Sequence, residues 1–110
     1  MSATVVTVKP MTGYAYILRC SDGTFYAGST CDLERRLAQH AQGEGAAYTR
    51  RRLPVELVWH AQFERVDEAF GWEKRIQGWS HAKRAAFIAG GLDALRGWST
   101  ATRRLSNRGR

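Results

Sequence analysis

Two tyrosine tripeptides, Tyr14-Ala15-Tyr16 and Tyr26-Ala27-Gly28, lie on either side of an Asp22-Gly23 turn, and the run after them carries Arg36 and His40. Phenolic hydroxyls brought beside an arginine and a histidine suit work on a phosphate ester. The guanidinium neutralises oxygens that gain charge in the transition state. The imidazole, with an ordinary pKa of about 6.5, exchanges protons near neutral pH. Further along, Glu73 falls inside the apolar arc formed by Ala69, Phe70, Trp72, Ile76 and Trp79. A carboxylate on a packing face is costly unless something positive meets it. That partner is either a salt-bridging arginine, Arg36 or a neighbour, or a bound cation.

The elements that must hold these groups follow from local signals. YAYILR (14–19) and TFYAG (24–28) read as strands joined by Ser21-Asp22-Gly23. Loop length decides whether the tyrosines meet. A two-residue turn at Asp22-Gly23 places Tyr16 and Tyr26 on opposite faces, whereas a three-residue loop with Gly23 left-handed places them on the same face. The second is expected. Asp32 can cap a helix from Leu33 to about Gln42, ended by Gly43. On that helix Leu33, Leu37 and Ala41 form the expected buried stripe, with Arg36 and His40 along its border. Arg35, Gln39 and Gln42 fall on the solvated side.

A polar stretch from Gly43 to Pro54 carries Tyr48, Thr49 and Arg50-Arg51-Arg52, expected as a loop flanking the site and gripping a nucleic-acid backbone. Val55 to Phe63 reads as a third strand. Asp67 is expected to cap a helix to about Gly78, and Ser80 another that ends at Gly90-Gly91. The expected architecture is α+β, a small three-stranded antiparallel sheet flanked by about three helices. Residues 1–12 read as a flexible leader, 13–98 as the domain and 99–110 as a basic, disordered tail.

Taken together these residues resemble the GIY-YIG nuclease superfamily, most closely its small stand-alone bacterial branch, which is similar to the nuclease domain of the bacterial repair excinuclease. The resemblance covers roughly residues 13–90. It rests on YAY at 14–16, YAG at 26–28, DLERRLAQH at 32–40 and Glu73 within AFGWEKRIQGW. By position it implies that Tyr16, Tyr26, Arg36, His40 and Glu73 are catalytic and that Glu73 holds one divalent metal ion, Mg²⁺ or Mn²⁺. Gly28 matches the glycine of the second tripeptide and is expected near the nucleic acid, with Tyr48, Arg50, Arg51 and Arg52. Tyr16, Tyr26 and His40 are all candidates for the general base. Departures are YAY and YAG in place of the family tripeptides. Ser29 stands where some members carry lysine, and no asparagine follows the glutamate helix before Asn107, in the tail.

Composition agrees with a polyanion partner. The 110 residues carry 17 Lys and Arg against 10 acids, a net charge of +7, and phosphates neutralised by such a surface release counterions. DNA is the expected substrate, with RNA possible and a protein partner possible for specificity. Cys20 and Cys31 lack metal-site spacing and are expected to be structural. Without a basic segment followed by a long apolar run, a cytoplasmic setting is expected.

Overall fold

The computed structural model describes residues 12–96, which divide into two compact units between Gly78 and Trp79. The first contains strands β1 (Gly13–Arg19), β2 (Phe25–Thr30) and β3 (Glu56–Phe63), with helices α1 (Leu33–Ala41), α2 (Ala47–Arg50) and α3 (Val66–Gln77). All neighbouring strands are antiparallel, in the order β2-β1-β3, so β1 is central. The second unit holds α4 (His81–Gly90) and a 3-10 turn, Gly91–Leu95. There Trp79 packs edge-on against the buried Phe87, at 5.2 Å between rings. Among the described residues no helix is long and apolar enough to cross a membrane.

Side chains alternate along a strand, and the central strand is buried on both faces: Ala15, Tyr16 and Ile17 are all sealed from solvent. One face carries Gly13, Ala15, Ile17 and Ala27, on which α3 lies. Gly13 is what lets α3 approach, because a Cβ there would fall 2.5 Å from the Val66 Cα. Ala69 and Ile76 of α3 are fully buried against this sheet, and each such aliphatic side chain contributes of order 1–3 kcal/mol. The opposite face carries Tyr16, Leu18, Tyr26 and Gly28, and α1 covers it with His40.

The architecture is α+β, as expected, with differences in detail. Four α-helices form rather than about three, because the stretch read as a loop after Gly43 contains α2. Helix α3 begins two residues earlier than expected, with Arg65 at the cap position, so Asp67 lies inside the first turn and pairs with Arg65 at 3.2 Å. Asp32 and Ser80 do cap their helices, accepting from the Arg35 and Lys83 amides. The α1 stripe is rotated: Ala41 is exposed, Leu33 and Leu37 are half-buried, and His40 is the fully buried residue. Arg35 and Gln42 are exposed as expected, but Gln39 is half-buried. Phe70, placed in the α3 stripe, is half exposed, and Trp59, Trp72 and Trp79 are half-buried rather than fully core. Both described cysteines are free, Cys20 buried and Cys31 exposed. Trp98, the tail and all of the leader but Thr12 lie outside the described residues.

Candidate active site

The site begins at the hairpin. The Cys20 amide donates to the Thr24 carbonyl at 2.8 Å and the Gly23 amide donates to the Cys20 carbonyl at 2.9 Å. These bonds enclose a three-residue loop with Gly23 at φ +85°. The resulting register sets Tyr16 opposite Gly28 and Leu18 opposite Tyr26, so both tyrosines share a face. Asp22 fixes the loop: its Oδ1 accepts from the Thr24 hydroxyl and amide, and its Oδ2 from the Arg52 guanidinium at 3.0 Å. The Thr24 hydroxyl, with smaller help from Arg52, holds this carboxyl below the usual range.

Behind the hairpin runs a chain of buried hydrogen bonds. The Tyr16 hydroxyl lies 2.9 Å from His40 Nε2, and His40 Nδ1 lies 2.8 Å from the Thr49 hydroxyl, which donates to the Ala46 carbonyl at 3.0 Å. Tyr16, His40 and Thr49 have no exposed surface. Two glycines make room for them. A Cβ on Gly28 would fall 2.5 Å from Tyr16 Cζ, and one on Gly45 would fall 2.8 Å from His40 Cε1. Burial, reinforced by the neighbouring Tyr26, pushes the Tyr16 hydroxyl up to about 12 against the opposing pull of Arg36. Burial also lowers the His40 imidazole below its ordinary value, and the Arg36 charge lowers it further. At neutral pH the pair is therefore a phenol beside a neutral imidazole.

Arg36 and Glu73 both influence the tyrosines. The Arg36 charge favours the ionised form of Tyr16 and of Tyr26. Glu73 raises both tyrosines. Tyr26, raised chiefly by burial, keeps part of its surface open, unlike Tyr16. Glu73 is half-buried. Ser29 Oγ donates to its Oε1 at 2.5 Å, and Gln77 Nε2 donates to its Oε2 at 2.8 Å while also reaching the Ala27 carbonyl at 3.3 Å. Among the described residues no salt bridge joins Glu73 to Arg36, so the carboxylate is oriented by neutral donors. Gln77 lies one turn after Glu73 on α3, the spacing at which helical side chains meet. Ser29 extends from β2 into the same cluster.

This donor set bears on a metal. Among the described residues no three His, Cys, Asp or Glu side chains gather, so a chelating cage is absent there and Glu73 is the candidate ligand. A carboxylate has about four acceptor positions, and one bond on each oxygen leaves room for a cation. Mg²⁺ commonly keeps several waters and takes one or two carboxylates. The arrangement fits a hydrated ion held by one carboxylate.

The expected backbone-gripping residues divide. Tyr48 stacks with Tyr26 at 6.1 Å between rings, and the Arg52 guanidinium lies 3.7 Å from the Tyr48 ring centre. Arg52 also donates to the Tyr48 carbonyl at 2.9 Å. With Asp22 bound as well, Arg52 is an internal tie, whereas Arg50 and Arg51 are exposed. Gly28 is buried beneath the Tyr16 ring, so its contribution is space. Sequence reasoning assigned no function to Ser29, Gln77 or Gly45, although the Glu73–Gln77 spacing was visible, and it placed Thr49 in a backbone-gripping loop, whereas its hydroxyl is buried against His40.

Comparison with known proteins places the chain in a family. Residues 12–85 match the family model described as GIY-YIG catalytic domain. A UPF0213 protein of Bacillus pumilus is 47% identical over 75 residues, covering 68% of this chain and 76% of the relative. The UPF0213 protein NP_0776A of Natronomonas pharaonis is 46% identical, covering 69% of this chain and 89% of the relative. A solution NMR structure of the UPF0213 protein BH0048 from Bacillus halodurans is 38% identical and covers 79% of this chain and 96% of that one, with a TM-score of 0.49. Tyr16, Tyr26, Arg36, His40 and Glu73 all fall within the matched span, and the chain belongs to the GIY-YIG catalytic domain family.

Proposed function

We propose that this chain is a metal-dependent endonuclease that hydrolyses DNA phosphodiester bonds. The observation that carries the reading is the buried Tyr16–His40 hydrogen bond on the face shared by both tyrosines, within a span that matches the GIY-YIG catalytic domain. Two phenols, one guanidinium and one carboxylate form the inventory that phosphodiester hydrolysis requires. The net charge of +7 and the exposed Arg50 and Arg51 support a polyanionic substrate.

In this reading Arg36 neutralises the non-bridging oxygens as they gain charge. Tyr26, open to solvent, orients the phosphate and the attacking water. Tyr16 lies behind it with no exposed surface and passes a proton inward. The attacking water gives up its proton, by way of Tyr26, to the Tyr16 oxygen as the Tyr16 proton passes to the neutral His40 Nε2, so no free phenolate is left. The Arg36 charge steadies the oxygen during the exchange. His40 is sealed from solvent, so it acts on water only through the tyrosines. A divalent ion on Glu73, when bound, supplies Lewis acidity to the phosphate and the leaving oxygen. Ser29 and Gln77 hold the carboxylate in one orientation before it binds.

The test is incubation of the purified protein with plasmid, forked and single-stranded DNA, with and without Mg²⁺ or Mn²⁺. Metal-dependent nicking that disappears in Glu73→Ala is expected. DNA or RNA binding with no cleavage in any metal would instead identify a non-catalytic binding module of the same fold.

A further inference from the structure

We infer that Thr49 is a positioning residue: its hydroxyl accepts the His40 Nδ1–H and holds the imidazole in the tautomer whose Nε2 lone pair faces Tyr16. The assignment follows from proton accounting at both ends of the buried chain. A threonine hydroxyl has one proton to donate and lone pairs to accept. The Thr49 proton is directed to the Ala46 carbonyl at 3.0 Å, so the 2.8 Å contact with His40 Nδ1 is one in which Thr49 accepts. Nδ1 then carries the ring proton and Nε2 carries the lone pair.

The other end gives the same answer. Tyr16 is sealed from solvent, so its phenolic proton needs an acceptor within the protein. The acceptor shown for it is His40 Nε2, at 2.9 Å. With the opposite tautomer, Nε2–H would donate to the Tyr16 oxygen, leaving the phenol proton without that acceptor in a site closed to water. Buried donors without partners are costly, and His40 and Thr49 are both fully buried. The Gly45 backbone lies against the imidazole, which limits the ring's freedom to turn. The four-residue helix α2, otherwise hard to account for, thereby gains a purpose, since it carries Thr49 to the imidazole.

This inference rests on the catalytic reading for its kinetic consequence but not for its structural one, and the experiment separates the two. The imidazole ¹⁵N spectrum of the full chain is recorded at neutral pH for the native protein, Thr49→Val and Thr49→Ser. The native His40 should show a protonated Nδ1 and a lone-pair Nε2. In Thr49→Val, which keeps the shape and removes the acceptor, the two signals should exchange or average. Thr49→Ser should restore the native pattern. In cleavage assays Thr49→Val should lower kcat by about 10²–10⁴-fold, the range of lost acid–base help, with KM little changed, and Thr49→Ser should recover most of it. A native spectrum with the proton on Nε2 overturns the inference whether or not any variant folds. So does Thr49→Val with an unchanged spectrum and unchanged kcat. If no metal supports cleavage but the tautomer responds as stated, the positioning role stands and the nuclease reading falls.

Discussion

Replacing Gly28 with alanine asks whether that glycine merely ends a strand or keeps the site open. Gly28 pairs directly with Tyr16 across the hairpin, and the tyrosine ring lies over it. A Cβ at position 28 would sit 2.5 Å from Tyr16 Cζ, where ordinary contact begins near 3.4 Å. The ring must therefore retreat by about 0.9 Å. Tyr16 is fully enclosed, and overpacking of this kind costs roughly 1–3 kcal/mol. At about 4–8 °C per kcal/mol for a domain of this size, the melting temperature should fall by roughly 5–20 °C. The hydrogen bond to His40 suffers more. A displacement of that size exceeds the margin between the 2.9 Å bond and the useful limit, and misplacements near 1 Å can cost about 10²-fold in rate. Gly71→Ala is the matched control. It lies within α3 with nothing within 4 Å of its added Cβ, so it should stabilise by roughly 0.4–1 kcal/mol. Melting curves and single-turnover cleavage of both variants decide the matter. Gly28→Ala that melts and cleaves like the native protein would refute the reasoning, since the glycine would then be only a convenient strand residue.

Three further outcomes follow from the same geometry, and a fourth from the surface charge. Glu73→Gln should remain folded, because Ser29 and Gln77 can still bond the amide; losing the charge assistance of two part-exposed bonds costs about 1–2 kcal/mol, against roughly 3–5 kcal/mol for stranding a buried ion. Its cleavage should drop by orders of magnitude while DNA affinity holds, and a large melting loss with residual activity would contradict the ligand assignment. Burial of Tyr16 ties stability to alkaline pH. With its pKa raised to about 12, the unfolded chain releases the proton first above about 10, so up to about 3 kcal/mol is lost between pH 10 and 12. Urea titrations should show the loss shrinking in Tyr16→Phe, and an equal slope in that variant would exclude this source. His40 gives the acid counterpart: its lowered pKa keeps stability whole above about pH 6.5 and erodes it below, as the unfolded imidazole takes up a proton first. A melting temperature unchanged on acidification from pH 7 to 5, or an equal acid slope in His40→Gln, would count against a buried neutral imidazole. Arg51→Ala should flatten the salt dependence of DNA binding by about one phosphate contact, whereas Arg52→Ala should also lower thermal stability by freeing Asp22 and Tyr48.

The hairpin was legible because its determinant is local: a glycine able to adopt positive φ, after a residue that bonds back to its own loop, sets the register without help from the rest of the chain. The caps at Asp32 and Ser80 were legible for the same reason. The α1 stripe was misplaced because hydropathy ranks Ala41 above His40. Burial of the imidazole depends on hydrogen bonds to Tyr16 and Thr49, which are far apart in sequence. Helix α2 escaped notice since Ala46 supplies no capping side chain and four residues are too few to show a period. The position of Glu73 on an apolar arc signalled its importance. Its actual partners did not follow, because Ser29 reaches it from strand β2, far away in sequence, and a serine carries no charge to announce the contact.

The hairpin loop also restricts how this chain can change by descent or by design. Strand pairing alternates faces, so adding or removing a single residue between Cys20 and Thr24 turns every β2 side chain over if β1 stays in place. Tyr26 would then move to the sheet face beneath α3, although neither tyrosine had been altered. Gains or losses of two residues preserve the parity. Substitutions at Ser21 or Asp22 disturb only the loop's fit with Thr24 and Arg52, whereas Gly23 is needed for its positive φ. Across related chains the length of this segment should therefore be held, or vary in twos, while its composition outside the Gly23 position drifts.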